Sequence, residues 1–163
     1  ARQKLVLAVW DVLARHPLAE AEALCEQVTA WAGVDRGGPA SDHPLTPEDI
    51  GQLARGGLIE VGGHTVSHRP LDDLAPGAAA AEIRDCREKL SDLAGRAIQS
   101  FSYPFGRFAP ETASLVREAG FACACNSRPR LAYAPADPFR IPRIVVPNLD
   151  AEAFSKFLWE RVG

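Results

Sequence analysis

Apolar positions along this chain follow two different spacings. Leu5, Val9, Val12 and Leu13 recur every three or four residues and predict a helix over 3–15, which Pro17 ends. Leu24, Val28 and Trp31 predict a second helix over 19–32, with Gly33 as its stop. Residues 34–45 are rich in Gly, Pro, Ser and Asp and read as a loop. Thr46-Pro47-Glu48-Asp49 then reads as a helix start. Threonine can accept from the free N–H groups, proline suits the first turn, and acids suit the positive end. This helix should reach Ala54 or Arg55 before Gly56-Gly57.

From Leu58 onward, short apolar runs alternate with amphipathic stretches. Leu58–Val61, Ile98–Tyr103, Phe121–Cys125 and Ile141–Val146 read as strands. Between them, Ile83, Cys86, Leu90 and Leu93 stripe a helix over 77–94 that Gly95 closes. Pro110–Ala119 reads as another helix, closed by Gly120. Asp150 caps a last helix running to about Arg161. Strand and helix in alternation imply parallel strands with helices outside, as an open sheet or a barrel. In such folds the reactive groups collect at the C-terminal ends of strands.

Composition narrows the choices. The 163 residues make about one domain, and 47% hydrophobic content is ordinary for a globular chain. A net charge of −3 gives no basic field for a phosphate backbone, so no nucleic-acid partner is expected. No apolar run approaches the ~20 residues of a membrane span. The chain starts Ala1-Arg2-Gln3-Lys4 with no visible signal peptide and contains no methionine, so it is expected to be a portion of a longer protein. Cys123 and Cys125 alternate on a predicted strand and read as two small buried hydrophobes.

The candidate chemistry lies in two short stretches. In Gly62-Gly63-His64-Thr65-Val66-Ser67-His68-Arg69-Pro70, two imidazoles stand four residues apart, just past a predicted strand. They can face one centre if the backbone makes a helical turn there. Two glycines fit a tight turn, and Thr65 and Ser67 could orient neighbouring groups. A catalytic zinc commonly takes three protein ligands, so the pair is part of a metal site or an ordinary surface pair. His16 and His43 each precede a proline and read as solvent-facing. The second stretch is Ser100-Phe101-Ser102-Tyr103-Pro104-Phe105-Gly106, a predicted strand end where rings could stack on a sugar or where a plain turn follows.

Taken together, the two stretches resemble the polysaccharide deacetylase family, the NodB homology domain of carbohydrate esterase family 4. Val61 to Leu71 is similar to its metal-binding motif, H-[ST]-x-x-H, and Phe101 to Gly106 to its following aromatic motif. Val116-Arg117-Glu118-Ala119-Gly120-Phe121 and Phe139-Arg140-Ile141-Pro142-Arg143-Ile144 agree in order and spacing. The resemblance covers about residues 45–160. It implies an α/β fold, a partial and distorted (β/α) barrel of the NodB type with parallel strands and outer helices. Residues 46–163 would be an incomplete deacetylase domain and 1–45 a helical insertion or leader. It further implies hydrolysis of N-acetyl groups on an amino-sugar polysaccharide or oligosaccharide, outside the cytoplasm or at the cell envelope. Zn2+ or another divalent metal would sit on His64 and His68. The Phe105 backbone N–H would hold the oxyanion, with Tyr103, Pro104 and Phe105 binding substrate.

Three departures stand against full activity. The family's Asp-Asp pair has no counterpart, since Asp11 in Ala8-Val9-Trp10-Asp11-Val12 fits a helix. Ser102 stands where the family carries an arginine, and Arg140 or Arg143 could replace it or be structural. No histidine follows His68. The chain alone is therefore expected to bind metal weakly and to be weak or inactive. The alternative is a non-catalytic carbohydrate-binding relative that uses Tyr103 and Phe105. An incomplete barrel would leave an apolar flank for residues 3–32 or a second copy of the chain to cover.

Overall fold

A computed structural model of the chain describes residues 2–13, 15–34 and 44–162. Two compact units are present, Ala1–Leu45 and Thr46–Gly163. The first holds helices α1 (Arg2–Leu13) and α2 (Leu18–Ala32). Gly33 ends α2 in the left-handed conformation, φ 63°, where its N–H reaches the Ala30 carbonyl. His43 lies outside the described residues. His16 is half-exposed, with Nδ1 3.2 Å from Glu20 Oε2.

The second unit opens with α3 (Pro47–Arg55). Thr46 Oγ1 accepts from the Asp49 N–H at 3.2 Å, and the Asp49 carboxylate accepts from the Thr46 N–H at 2.9 Å. The cap is reciprocal, and the threonine half of it is what the sequence predicts. Helices α4 (Pro76–Ala94), α5 (Pro110–Glu118) and α6 (Ala151–Val162) follow, with Asp150 Oδ1 accepting from the Ala153 N–H at the start of α6. Strands β1 (Ser100–Ser102) and β2 (Cys123–Cys125) pair in parallel, Phe101 opposite Ala124. The fold is thus mixed α/β with parallel strands.

Two of the expected strands shrink to single contacts. Leu58–Val61 forms no ladder; pairing on that side of β1 is one parallel bridge, Gly63 to Phe101. The backbone can come that close only where no Cβ intervenes. A Cβ on Gly63 would stand 2.9 Å from the Phe121 ring and 3.0 Å from that of Phe101. On the far side, Ile141 alone bridges to Cys125. Pro142 follows it and has no N–H to extend the ladder.

The core gathers Ala79 and Ile83 of α4, Ala113 and Val116 of α5, Phe101 and Ala124 of the strands, and Leu71, Ile98, Tyr103, Phe121 and Phe139. Ala124 is the core residue of β2, while Cys123 and Cys125 turn to the other face and are half-buried. That corrects the reading of these two cysteines as buried. The alternation along the strand holds, but the core takes the small residue between them.

Candidate metal centre

The C-terminal end of β1 positions His64. Gly63 donates to the Ser100 carbonyl at 2.8 Å, and its own carbonyl accepts from the Ser102 N–H at 2.9 Å. His64 Nδ1 then lies 2.6 Å from the Ser102 carbonyl oxygen. A carbonyl can only accept, so Nδ1 carries the proton, and in the neutral ring Nε2 is the nitrogen left with a lone pair. Metal-ligating histidines are fixed in this same way.

His68 arrives by a different route from the helical turn expected. The segment between the histidines is a loop. Thr65 and His68 both sit in the left-handed region, at φ 66° and 57°, and the His68 N–H donates to Thr65 Oγ1 at 3.0 Å. The two ring centroids stand 4.8 Å apart at an interplanar angle of 62°. Two imidazoles on one tetrahedral zinc, each with Zn–N of about 2.0–2.1 Å, place their centroids roughly 5 Å apart. Both side chains are solvent-accessible. His68 titrates below the ordinary histidine value, chiefly through partial burial and secondarily through the nearby His64. The edge contact of Phe105 on its ring, centroids 4.7 Å apart, excludes water on that side. A neutral His68 is the form that can donate to a cation.

Among the described residues the donor set stops at two, and no group of three or more His, Cys, Asp and Glu gathers there as a metal site. Neighbouring carboxylates are engaged elsewhere. Asp72 and Asp73 pair with Arg107, joining the loop after His68 to the loop after Phe105. Asp11 is helical, in α1, and pairs with Arg15.

The aromatic stretch behaves differently from expectation. Tyr103 is only 1% exposed, and its hydroxyl donates to the Phe139 carbonyl at 2.9 Å. Burial holds that hydroxyl's pKa well above the ordinary phenol range. Pro104 is fully buried as well. Neither can offer a face to a sugar, which corrects their reading as substrate-binding residues. Phe105 alone of the three is exposed, in a left-handed conformation at φ 57°.

Of the two candidate arginines, Arg143 reaches this end of the sheet. Its Nη2 donates to Ser102 Oγ at 2.7 Å and its Nε to the Asn126 carbonyl at 3.1 Å. Arg140 pairs instead with Asp137 and lies over the Phe108 ring. Sequence reasoning missed Glu82, whose carboxylate grips the histidine loop, and Asn126, which is buried and bonds the Arg140 carbonyl and the Arg128 N–H. A signal for Glu82 existed. Residues 79, 82, 83 and 86 form one helical face, and Ala79, Ile83 and Cys86 are buried there, so the carboxylate is the anomaly on an apolar stripe.

Comparison with known proteins bears on the fold and the family. The Streptococcus pyogenes deacetylase PplD, solved with acetate, superposes at a TM-score of 0.64 with 21% identity, over 72% of this chain and 52% of that one. A polysaccharide deacetylase from Bacillus cereus gives 0.62 and 18%, over 72% and 37%. At these identities the likeness bears on the fold alone. The Bacillus subtilis protein YxkH, assigned by name to the polysaccharide deacetylases, is 26% identical over 117 residues, 71% of this chain and 42% of that protein. The chain thus spans about half or less of the length of each of these relatives. The family model described as polysaccharide deacetylase matches residues 8–124, and the chain belongs to the polysaccharide deacetylase family.

Proposed function

We propose that the chain is part of a metal-dependent hydrolase that removes N-acetyl groups from an amino-sugar polysaccharide. The observation that carries this reading is the His64–His68 pair, with rings 4.8 Å apart and His64 Nδ1 tied to a carbonyl at the end of β1. The two ring nitrogens would hold zinc or another divalent ion. When bound, such an ion lowers the pKa of water and polarises a carbonyl oxygen. The protein's own part is to aim both imidazoles and to favour the neutral form of His68. Phe105 lies against His68, its ring forming a wall and its backbone N–H serving as the oxyanion donor that the family resemblance implies. The parallel pair β1–β2, with its flanking bridges, is read as a section of a (β/α) barrel.

Two neutral nitrogens give a dication no charge compensation, so this chain by itself is proposed to bind metal weakly and turn over slowly. Amino-sugar polymers lie outside the cytoplasm, and the proposed site of action is accordingly extracytoplasmic. The non-catalytic sugar-binding reading loses half its support with the burial of Tyr103. The test is acetate release from an N-acetylated chitooligosaccharide, with zinc or cobalt supplied. Slow release that chelator and His64→Ala both abolish is expected. Release that survives both would overturn the proposal.

A further inference from the structure

We propose that Glu82 of α4 is a positioning residue that sets the angle and spacing at which His68 meets His64, and so governs cation affinity; this rests on the reading that the pair holds a metal. Glu82 Oε2 accepts from the backbone N–H groups of Val66 and Ser67, at 2.8 and 2.9 Å. Its Oε1 accepts from the Ser67 hydroxyl at 2.6 Å. One carboxylate therefore bonds two consecutive residues of the three between the histidines. On either side stand Thr65 and His68, both in the left-handed conformation that side chains with a Cβ rarely adopt. Such a backbone persists only where its surroundings over-determine it.

His64 is fixed without this help, by the Gly63 bridge and the Ser102 carbonyl. The position of His68 relative to it is what the clamp decides. The anchor is rigid, because Ala79, Ile83 and Cys86 bury the same face of α4. With three donors already on its two oxygens, Glu82 serves as a holder of the loop and not as a ligand. Groups that orient metal-binding histidines from behind typically change affinity by about 10–100-fold when removed.

The test is a cobalt titration of the chain followed by visible absorption, with His64→Ala as control. Glu82→Ala should weaken binding by about 10-fold or more and alter the absorption band. Glu82→Gln should fall between. Its carbonyl still accepts the two N–H groups, but its amide nitrogen cannot accept from Ser67. Ser67→Ala, losing one bond of three, should have the smallest effect. Circular dichroism and melting of each variant report folding separately. Cobalt affinity and band shape unchanged in a folded Glu82→Ala overturn the inference while leaving the metal reading intact. If Glu82→Ala does not fold, wild-type affinity in both Glu82→Gln and Ser67→Ala overturns it. If the wild-type chain takes up no more cobalt than His64→Ala, the metal reading fails and this inference falls with it.

Discussion

Gly63→Ala perturbs the scaffold directly beneath the histidines. The new methyl would lie 2.9 and 3.0 Å from two atoms of the Phe121 ring and 3.0 Å from Phe101. Ordinary carbon–carbon contacts are about 3.5–4.0 Å, so the overlap is roughly half to one ångström. Neither ring can swing out. They are 4% and 2% exposed and pack on each other with centroids 5.1 Å apart. Overpacking of this kind costs about 1–3 kcal/mol. The other escape is for residue 63 to lift off β1, which sacrifices its bonds to Ser100 and Ser102 at about 1 kcal/mol each. Reduced freedom of the unfolded chain returns about 0.4–1 kcal/mol. The net expectation is a loss of about 0.5–2 kcal/mol in urea unfolding followed by circular dichroism. Gly77→Ala is the matched control. It lies in α4 with nothing within 4 Å of its added Cβ, and it should be neutral or slightly stabilising. A Gly63→Ala midpoint indistinguishable from that of Gly77→Ala would refute the close-approach argument.

Other expectations follow from single residues. Tyr103→Phe should cost about 1–3 kcal/mol, because the buried Phe139 carbonyl loses its donor. It should leave oligosaccharide binding unchanged where Phe105→Ala weakens it, and the reverse order of effects would restore Tyr103 as a sugar platform. Asn126→Ala removes a 1%-exposed amide that bonds on both sides, and should cost about 1–3 kcal/mol by urea unfolding; a change under about 0.5 kcal/mol would mean the pocket rewets freely. His68 should titrate by proton NMR below the ordinary histidine midpoint of about 6.5. His64→Ala should raise that midpoint only part of the way back, since burial is the larger cause. The native state then binds fewer protons than the unfolded one. His68 therefore contributes stability above about pH 6.5 that is lost as pH falls through its lowered midpoint. A midpoint at or above 6.5 would contradict this.

The helices were legible because their signals are local. Caps at Thr46 and Asp150 and stops at Gly33 and Gly95 are written within a few residues. The strands were half-legible. Ile98–Tyr103 and Phe121–Cys125 contain β1 and β2, but a strand exists only through its partners. Neither Leu58–Val61 nor Ile141–Val146 could announce from its own pattern how little of it would pair. The histidine spacing showed that two imidazoles could meet. That they do so through left-handed residues under a helix-borne carboxylate depends on a contact between residues 66–67 and 82, which periodicity does not encode. Tyr103 was misread for a related reason. An aromatic beside Pro and Gly looks the same in sequence whether its ring faces a groove or the core, and the Phe139 carbonyl that claims its hydroxyl lies 36 residues away.

The most direct test of the central claim is crystallography of the zinc-soaked chain with anomalous data at the zinc edge. One peak is predicted, with Nε2 of His64 and a ring nitrogen of His68 each about 2.0–2.1 Å from it. A chain that holds no zinc between these rings, or binds it only at another place such as Cys123 and Cys125, would contradict the account.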